Sequence, residues 1–325
     1  MNTKSQLIKL LENNRDAYIS GASIAKELSI SRSAVWKSVK SLREEGYDIS
    51  AVTNNGYHLV SSGNTISESG VKAHIKNENV FQIDVRKSLS STNTILRELA
   101  ANGAPEGYVL VAEEQTSGKG RMGRTFHSPA DHGIYFSLLL RPGASTKDAA
   151  LITTAAAVAA ARAIEDVVGV NVGIKWVNDL FINGKKVCGI LTEATYDIES
   201  SLIESAVLGI GINITEPEQG YPEEIGETAA AILQSSLSTN GERCRLIAAT
   251  LDYFWEYYQN LAARKFLDEY RARSILLGRD IYVLSFDTKR PAKALEIDDE
   301  CRLVVRYENG ETAALNSGEV STRTR

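Results

Sequence analysis

The feature that most constrains this chain is that its hydrophobic period changes twice along its length. Over 4–60, apolar residues recur three times at helical spacing and then alternate. From about 80 to 274, alternating and helical runs intermix, and beyond Gly278 only short alternating runs remain. No single pair of packed layers accommodates all three patterns. The 325 residues are therefore predicted to form a multidomain α+β protein, divided at 1–62, 63–276 and 277–325. In the first part Leu7, Ile8, Leu10 and Leu11 mark one helix, and Ile24, Ala25 and Leu28 mark a second. Ser31 is placed to cap a third helix running to about Glu45, with Gly46 as its stop. Two short strands, 49–53 and 57–60, follow on either side of Asn54-Asn55-Gly56, whose Asn-Gly pair suits a type I′ turn. Helix, turn, helix and hairpin in that order make a winged helix-turn-helix.

The polar stretch 61–65 reads as a flexible linker. Past it, strands are expected at 80–85, 108–112 and 133–140 and near Gly173, Val187 and Leu208. Helices are expected at 94–101 and 147–168, around Ala229, and over 251–274. This is a mixed α/β domain with a mainly β core. The tail reads as four strands, 281–285, 290–297, 302–307 and 311–315, with a hairpin turn at Asn309-Gly310, and is predicted to be a small β-barrel.

Composition narrows the function classes. With 43% hydrophobic residues, disorder is excluded, and a formal charge of -5 argues against a surface that binds polyanions throughout. Cys188, Cys244 and Cys301 are odd in number, far apart and without metal-ligand spacing, which fits a reducing cytoplasm. The apolar run 149–161 is shorter than the ~17 residues a bilayer demands, so it reads as a buried helix and no membrane partner is expected.

Four constellations carry chemistry. The third helix sets Val35, Val39 and Leu42 on one side and leaves Ser31, Arg32, Ser33, Trp36, Lys37 and Lys40 on the remainder. Such a face can displace phosphate counterions and reach base edges. It can equally be a solvated surface, since residues 1–62 carry only eight Lys/Arg against six Asp/Glu. The run 115–124 holds Gly118, Lys119, Gly120, Arg121, Gly123 and Arg124. It approaches the dinucleotide and P-loop fingerprints, but the helix that both require does not follow. What remains is a mobile cationic glycine loop able to fold over a phosphate or adenylate, or else an exposed basic loop without a role. In 173–179, alternation turns Lys175 away from Ile174 and Trp176. It is either a solvated strand lysine or a cation aimed at a carboxylate and a phosphoryl group. Asn178 and Asp179 read as turn formers. Over 206–214, Leu208, Ile210, Ile212 and Ile214 face one way and Gly209, Gly211 and Asn213 the other, as a bare floor beneath a ligand or as tight packing would require. Ser91, Thr92 and Asn93 form an N-cap cluster or grip a polar ligand head. His127 and His132 lack a third ligand at a recognisable spacing, so zinc is not expected.

Taken in order, 118–124, 175–179, 186–191 with Glu193, and 209–213 resemble the biotin–protein ligases, in the bifunctional class that also represses a biotin operon. The resemblance covers nearly the whole chain and implies a central domain of the biotin/lipoate ligase type and an SH3-like C-terminal barrel. It implies biotin as substrate and ATP with Mg²⁺ as co-substrate, with no tightly bound metal. The reaction would form biotinyl-5′-adenylate, and the biotin would then pass to a lysine of the biotin carrier domain of a carboxylase. By residue match, Ser91, Thr92, Asn93 and Gln115 would contact the biotin head, and Lys119, Gly120 and Arg121 would close over the adenylate. Lys175 would meet the carboxylate and α-phosphate and act with Arg121 and Lys119 in catalysis. Gly189, Gly209, Gly211 and Asn213 would belong to the binding wall, and Phe126 would stack on adenine. Loading would favour a homodimer that binds operator DNA through the third helix. The chain departs from the usual family pattern at Lys119, Met122, Phe126 and Val177, where Arg, Arg, Trp and Pro are common, and 292–297 lacks glycines that many members carry. A lipoate ligase and a ligand-sensing repressor without ligase activity are the rival readings.

Overall fold

A computed structural model describes residues 2–15, 17–143, 149–196, 202–233, 241–285, 288–316 and 318–322. The first body contains α1 (Thr3–Glu12), α2 (Gly21–Glu27), α3 (Arg32–Glu44) and a hairpin of β1 (Asp48–Val52) and β2 (Gly56–Ser61). Asn2, Ser20 and Ser31 each cap their helix by accepting from the backbone N–H three residues on, a bond whose loss costs about 1 kcal/mol. Leu7, Leu11, Ile24, Val35, Val39 and Leu42 meet in its core. The hairpin differs from the expected two-residue turn. Val52 pairs with Gly56, leaving three loop residues, and the left-handed positions are Asn54 and Gly56. The reason lies outside the hairpin: a Cβ on Gly56 would stand 2.1 Å from the Ile19 carbonyl, so glycine lets Ile19 bridge to Tyr57.

The central body follows as α4 (Glu68–His74), β3 (Gln82–Leu89), α5 (Thr92–Ala101), β4 (Tyr108–Gln115), β5 (Gly133–Leu140), α6 (Ala149–Val168), β6 (Gly173–Lys175), β7 (Asp179–Ile182), β8 (Lys185–Tyr196), β9 (Ile203–Asn213), α7 (Glu223–Gly226), α8 (Glu242–Tyr258) and α9 (Leu267–Ala272). Its strands form one sheet in the order β3-β4-β5-β9-β8-β7-β6, in which β3 and β4 are parallel and the other neighbours antiparallel. Alternation assigns the faces. Val111, Phe136, Ile190, Leu208, Ile210 and Ile212 share one apolar cluster with α6 and α8. From Ala155 onward the alanines of α6 are fully buried, and their small side chains let the helix lie close to its neighbours. On the other face, Leu110, Leu139 and Val207 pack with Leu96 and Ala100 of α5. No described helix is long and apolar enough to cross a membrane.

Several expectations are corrected. Ala229 is not helical; it bridges to Lys186, and the helix stands earlier, at α7. The expected helix 251–274 is instead α8, a short turn ending at Arg264 with φ 51°, and α9. Strand β7 was not anticipated, and Lys147, the expected start of α6, lies outside the described residues. The stretch 61–65 is fastened, not flexible. Gly63 accepts from the Gly241 N–H at 3.2 Å, the Asn64 carbonyl accepts from Arg243 at 2.7 Å, and the Asn64 amide donates to the Asp131 carbonyl at 2.8 Å. The Ser62 hydroxyl meanwhile pairs with Glu12 and Arg15 of the first body, so the stretch is tied on both sides.

The tail forms β10 (Asp280–Ser285), β11 (Thr288–Ile297), β12 (Leu303–Tyr307), β13 (Thr312–Leu315) and β14 (Glu319–Thr322), in the order β13-β12-β11-β10-β14. This corrects the predicted barrel: among the described residues the edge strands β13 and β14 do not pair with each other, so the antiparallel sheet stays open. Ile281, Ala294 and Leu303 belong to the same apolar cluster as α6, and the Trp176 indole donates to the Cys301 carbonyl at 2.9 Å. The tail is therefore docked on the strands that lead to the cavity described next.

Candidate active site

A row of paired residues crosses the sheet from Lys175 through Asp179, Gly189 and Gly211 to Tyr135. Residues paired across strands point to the same face. Above this row lies a cavity that opens to solvent. The start of α5 contributes Ser91, Thr92 and Asn93, the end of β4 contributes Gln115, and the glycine loop contributes Lys119, Gly120, Arg121 and Phe126. The sheet adds Gly189, Gly209 and Gly211, together with Asn178, Lys186, Ile190, Leu191 and Ile210.

The glycines answer the question that the sequence left open. A Cβ on Gly209 would stand 2.1 Å from Asn93 Oδ1, and one on Gly211 would stand 2.4 Å from Phe126 Cε1. The strand is bare because Asn93 and the Phe126 ring lie directly on it. Asn93 is 4% exposed. Ser91 occupies the N-cap position of α5, as the N-cap reading expected, but its side chain makes no capping bond. Thr92 donates its backbone N–H to Gln115 Oε1 at 2.8 Å, and Gln115 Nε2 donates to Ser128 at 2.9 Å.

The glycine loop is closed on itself. Lys119 bridges to Thr125, the Gly120 N–H donates to the Arg124 carbonyl at 2.7 Å, and Met122 and Gly123 adopt positive φ. Arg121 Nη1 donates to Asn178 Oδ1 at 3.0 Å. The Asn178 amide in turn donates to Asp179 Oδ1 at 3.0 Å, and Asp179 pairs with Lys186 at 2.7 Å. Asn178 and Asp179 are thus more than turn formers, since they tie the loop arginine to a second cation.

Two expected residues are not brought to the cavity wall. Lys175 shares the face of the glycine row but stands two strands farther out, on the sheet edge, with its ammonium 5.5 Å from the centre of the Phe181 ring. The Asn213 amide donates to the Ala230 carbonyl at 3.0 Å. Conversely, Lys186 lines the cavity although no role was expected of it. Strict alternation would place it on the core face with Cys188 and Ile190. Between the pairs Leu180–Cys188 and Phe181–Lys186 the register slips, and Val187 is the extra residue. This bulge re-aims Lys186 toward Asp179. Nothing in the local sequence announces a bulge; the only available signal was a lysine inside a motif already singled out.

Other titratable groups recede from the chemistry. Burial pushes the Cys188 thiol well above its ordinary range, which makes it a poor nucleophile. Burial, and then His132, lowers the pKa of His127. Among the described residues no group of three His, Cys, Asp or Glu side chains is placed to hold a metal ion.

A second surface lies on α3. Ser31, Arg32, Ser33, Trp36, Lys37 and Lys40 are all exposed, and Trp36 is 57% accessible with the Lys40 ammonium 5.9 Å from its ring. The opposite side of the helix is buried against α1 and α2, so its cationic side faces outward as the pattern predicted.

Known proteins give the same combination. Residues 85–213 match the model of the biotin/lipoate A/B protein ligase family, and residues 3–58 match a helix-turn-helix domain. The chain is 35% identical to the bifunctional ligase/repressor BirA of Bacillus subtilis over 314 residues, 94% of this chain and 95% of that protein. It is 31% identical over 251 residues to the biotin–[acetyl-CoA-carboxylase] ligase of Mycobacterium tuberculosis, covering 74% of this chain and 88% of that one. A biotin protein ligase from Aquifex aeolicus, solved in complex with biotin and ATP, superposes with a TM-score of 0.62 at 25% identity over 75% of this chain and 99% of its own.

Proposed function

The chain belongs to the biotin/lipoate A/B protein ligase family, and we propose on that premise that its cavity joins biotin to ATP and that its winged helix makes it a biotin-responsive repressor as well. One observation carries the reading: a single cavity gathers Lys119, Gly120 and Arg121 of the glycine loop, the start of α5, Lys186 and the glycine strands, on a chain whose other end presents an exposed cationic helix.

The chemistry needs what this site holds. A biotin carboxylate oxygen attacks the α-phosphorus of ATP, the P–O bond to pyrophosphate breaks, and biotinyl-5′-adenylate forms. A lysine amine of a carboxylase's carrier domain then attacks the acyl carbon, AMP leaves, and the amine loses a proton. The first step brings two anions together, so cations must screen them and fix both oxygens. Lys186 is assigned the position at the carboxylate and α-phosphate that was expected of Lys175, because it lines the cavity and Asp179 holds it there. Lys175 remains a second cation on the same sheet face. Arg121, steered by Asn178, and Lys119 with the Gly120 backbone cover the adenylate, and Phe126 offers its ring to adenine. Ser91, Thr92, Asn93 and Gln115 form the end that holds the biotin head.

Adenylate bound beneath the loop would stabilise the ordered state, and by linkage any dimer that this state favours. Two recognition helices on a two-fold operator would then multiply phosphate contacts that are modest singly. The test is to mix the protein with ATP, biotin and a biotin carrier domain. Biotin transfer to the carrier lysine is expected; no transfer, or transfer of lipoate in its place, refutes the assignment.

A further inference from the structure

The turn between β6 and β7 carries Asn178, the residue through which Arg121 of the glycine loop meets Asp179 and Lys186. Strand β8 holds Asn178 from one side. Its amide donates to the Ile190 carbonyl at 2.9 Å, and its backbone carbonyl accepts the Ile190 N–H at 3.0 Å. The turn is held a second time from the core. Tyr270, on α9 and fully buried, donates its hydroxyl to the carbonyl of Val177 at 2.9 Å. Val177 is buried as well, where an unmet carbonyl is costly.

The hydroxyl is fixed in place. One turn beyond Tyr270, α9 is stitched to β6: the Arg273 carbonyl accepts the Ile174 N–H at 2.8 Å, and the Ile275 N–H donates to the Ile174 carbonyl at 3.0 Å. On the tail side, Arg271 Nε donates to the Ile297 carbonyl at 2.8 Å. Burial pushes the Tyr270 phenol well above its ordinary range, so it keeps its proton and stays a donor at working pH. A donor held this firmly satisfies the Val177 carbonyl and also sets the plane of the peptide between Val177 and Asn178. That plane decides whether the Asn178 side chain reaches Arg121 and Asp179 together. Without the hydroxyl the peptide is free to turn toward another donor, and a shift of about 1 Å at Asn178 loses one of those contacts.

We propose that Tyr270 is a positioning residue for acyl-adenylate formation: through the Val177 carbonyl it holds Asn178 where the loop arginine and the Asp179–Lys186 pair are joined. The proposal rests on the biotin reading above and adds to it a residue behind the sheet that does not line the cavity. The end assigned to the biotin head lies across the cavity, at the start of α5, so biotin affinity is expected not to depend on Tyr270.

The test is Tyr270→Phe, which keeps the ring and removes the donor. Calorimetric titration with biotin counts folded sites and gives the affinity, and biotin-dependent exchange of labelled pyrophosphate into ATP gives kcat per site. The variant is expected to lose about 10-fold in kcat per site while biotin affinity stays within about 2-fold of wild type. Added to Asn178→Ala, Tyr270→Phe is expected to cost less than a further ~2-fold, because the residue through which it acts is already gone. A merely structural tyrosine would lower the number of folded sites or the urea midpoint and leave kcat per site unchanged. The positioning role is overturned, while the biotin reading stands, by any of four results: kcat per site unchanged, biotin affinity falling in step with kcat, the full loss recurring on Asn178→Ala, or a variant that does not fold. If the wild-type chain supports no biotin-dependent exchange, both are overturned.

Discussion

Alanine at Gly209 and alanine at Gly211 should behave differently although the two glycines lie two residues apart on one strand. Neither has a positive φ, so the backbone accepts alanine at both, and losing a strand glycine by itself favours the fold by about 0.5–1 kcal/mol. The difference comes from what lies above. At Gly209 the new Cβ would stand 2.1 Å from Asn93 Oδ1 and 2.8 Å from its Cγ, and Asn93 has no room to yield. It is buried, with Ser137 on one side and Leu191 and Glu193 on the other. Moving it leaves buried polar groups unpaired, at roughly 1–3 kcal/mol each, and overpacks the face by a similar amount. The net loss expected for Gly209→Ala is therefore about 3 kcal/mol or more. At Gly211 the obstacle is the edge of the Phe126 ring, which is only half-buried and can swing outward. The expected stability change there is within about 1 kcal/mol, but the ring leaves the place proposed for adenine stacking, and ATP affinity should fall roughly 10-fold. Urea unfolding with linear extrapolation measures the first quantity, and calorimetric titration with a non-hydrolysable ATP analogue in the presence of biotin measures the second. Equal stability losses for the two variants, or a loss under about 1 kcal/mol for Gly209→Ala, would refute the packing argument.

Three further outcomes are expected. Lys186→Met should lower biotin-dependent pyrophosphate exchange by about 10²-fold or more and Lys175→Met by less than about 10-fold; the reverse order would return the catalytic position to Lys175. Lys37→Ala should weaken operator binding and reduce the salt slope by about one without affecting ligation, as gel shifts over a salt series and carrier biotinylation would show; a coupled loss of ligation contradicts it. Hydrogen bonds from Arg273 hold the Glu165 carboxyl below its ordinary range, so its stabilising contribution is complete above the ordinary glutamate value of 4.5 and is lost as pH falls through the depressed folded value. Glu165→Gln should therefore flatten the acid limb of the stability curve in urea melts, and an unchanged limb would contradict that assignment.

What the sequence showed and what it concealed divide along physical lines. The winged helix was legible because its cap at Ser31, its apolar spacing and its hairpin are local, and only the loop length depended on a distant contact at Ile19. The alternation of Leu208, Ile210 and Ile212 against Gly209 and Gly211 was legible because period two in a strand fixes the face. Lys186 was not, because a bulge at Val187 breaks that period and is set by pairing with β7. The chain Arg121–Asn178–Asp179–Lys186 spans strands and a loop far apart in sequence, and no spacing rule connects them. The open tail sheet escaped for a related reason: four of its strands were recognised but β14 was not, and whether a sheet closes is decided by which edges meet. The stretch 61–65 looked like a linker because polar residues suit water, and they suit the buried Arg243 equally well.

Activation of the biotin carboxylate on ATP is the step on which the proposed function stands. The most direct measurement is exchange of labelled pyrophosphate into ATP, which reports a reversibly formed acyl-adenylate without any acceptor protein. Exchange should occur with biotin and vanish without it; no exchange in the presence of biotin, exchange that persists without it, or exchange driven equally by lipoate would contradict that activation.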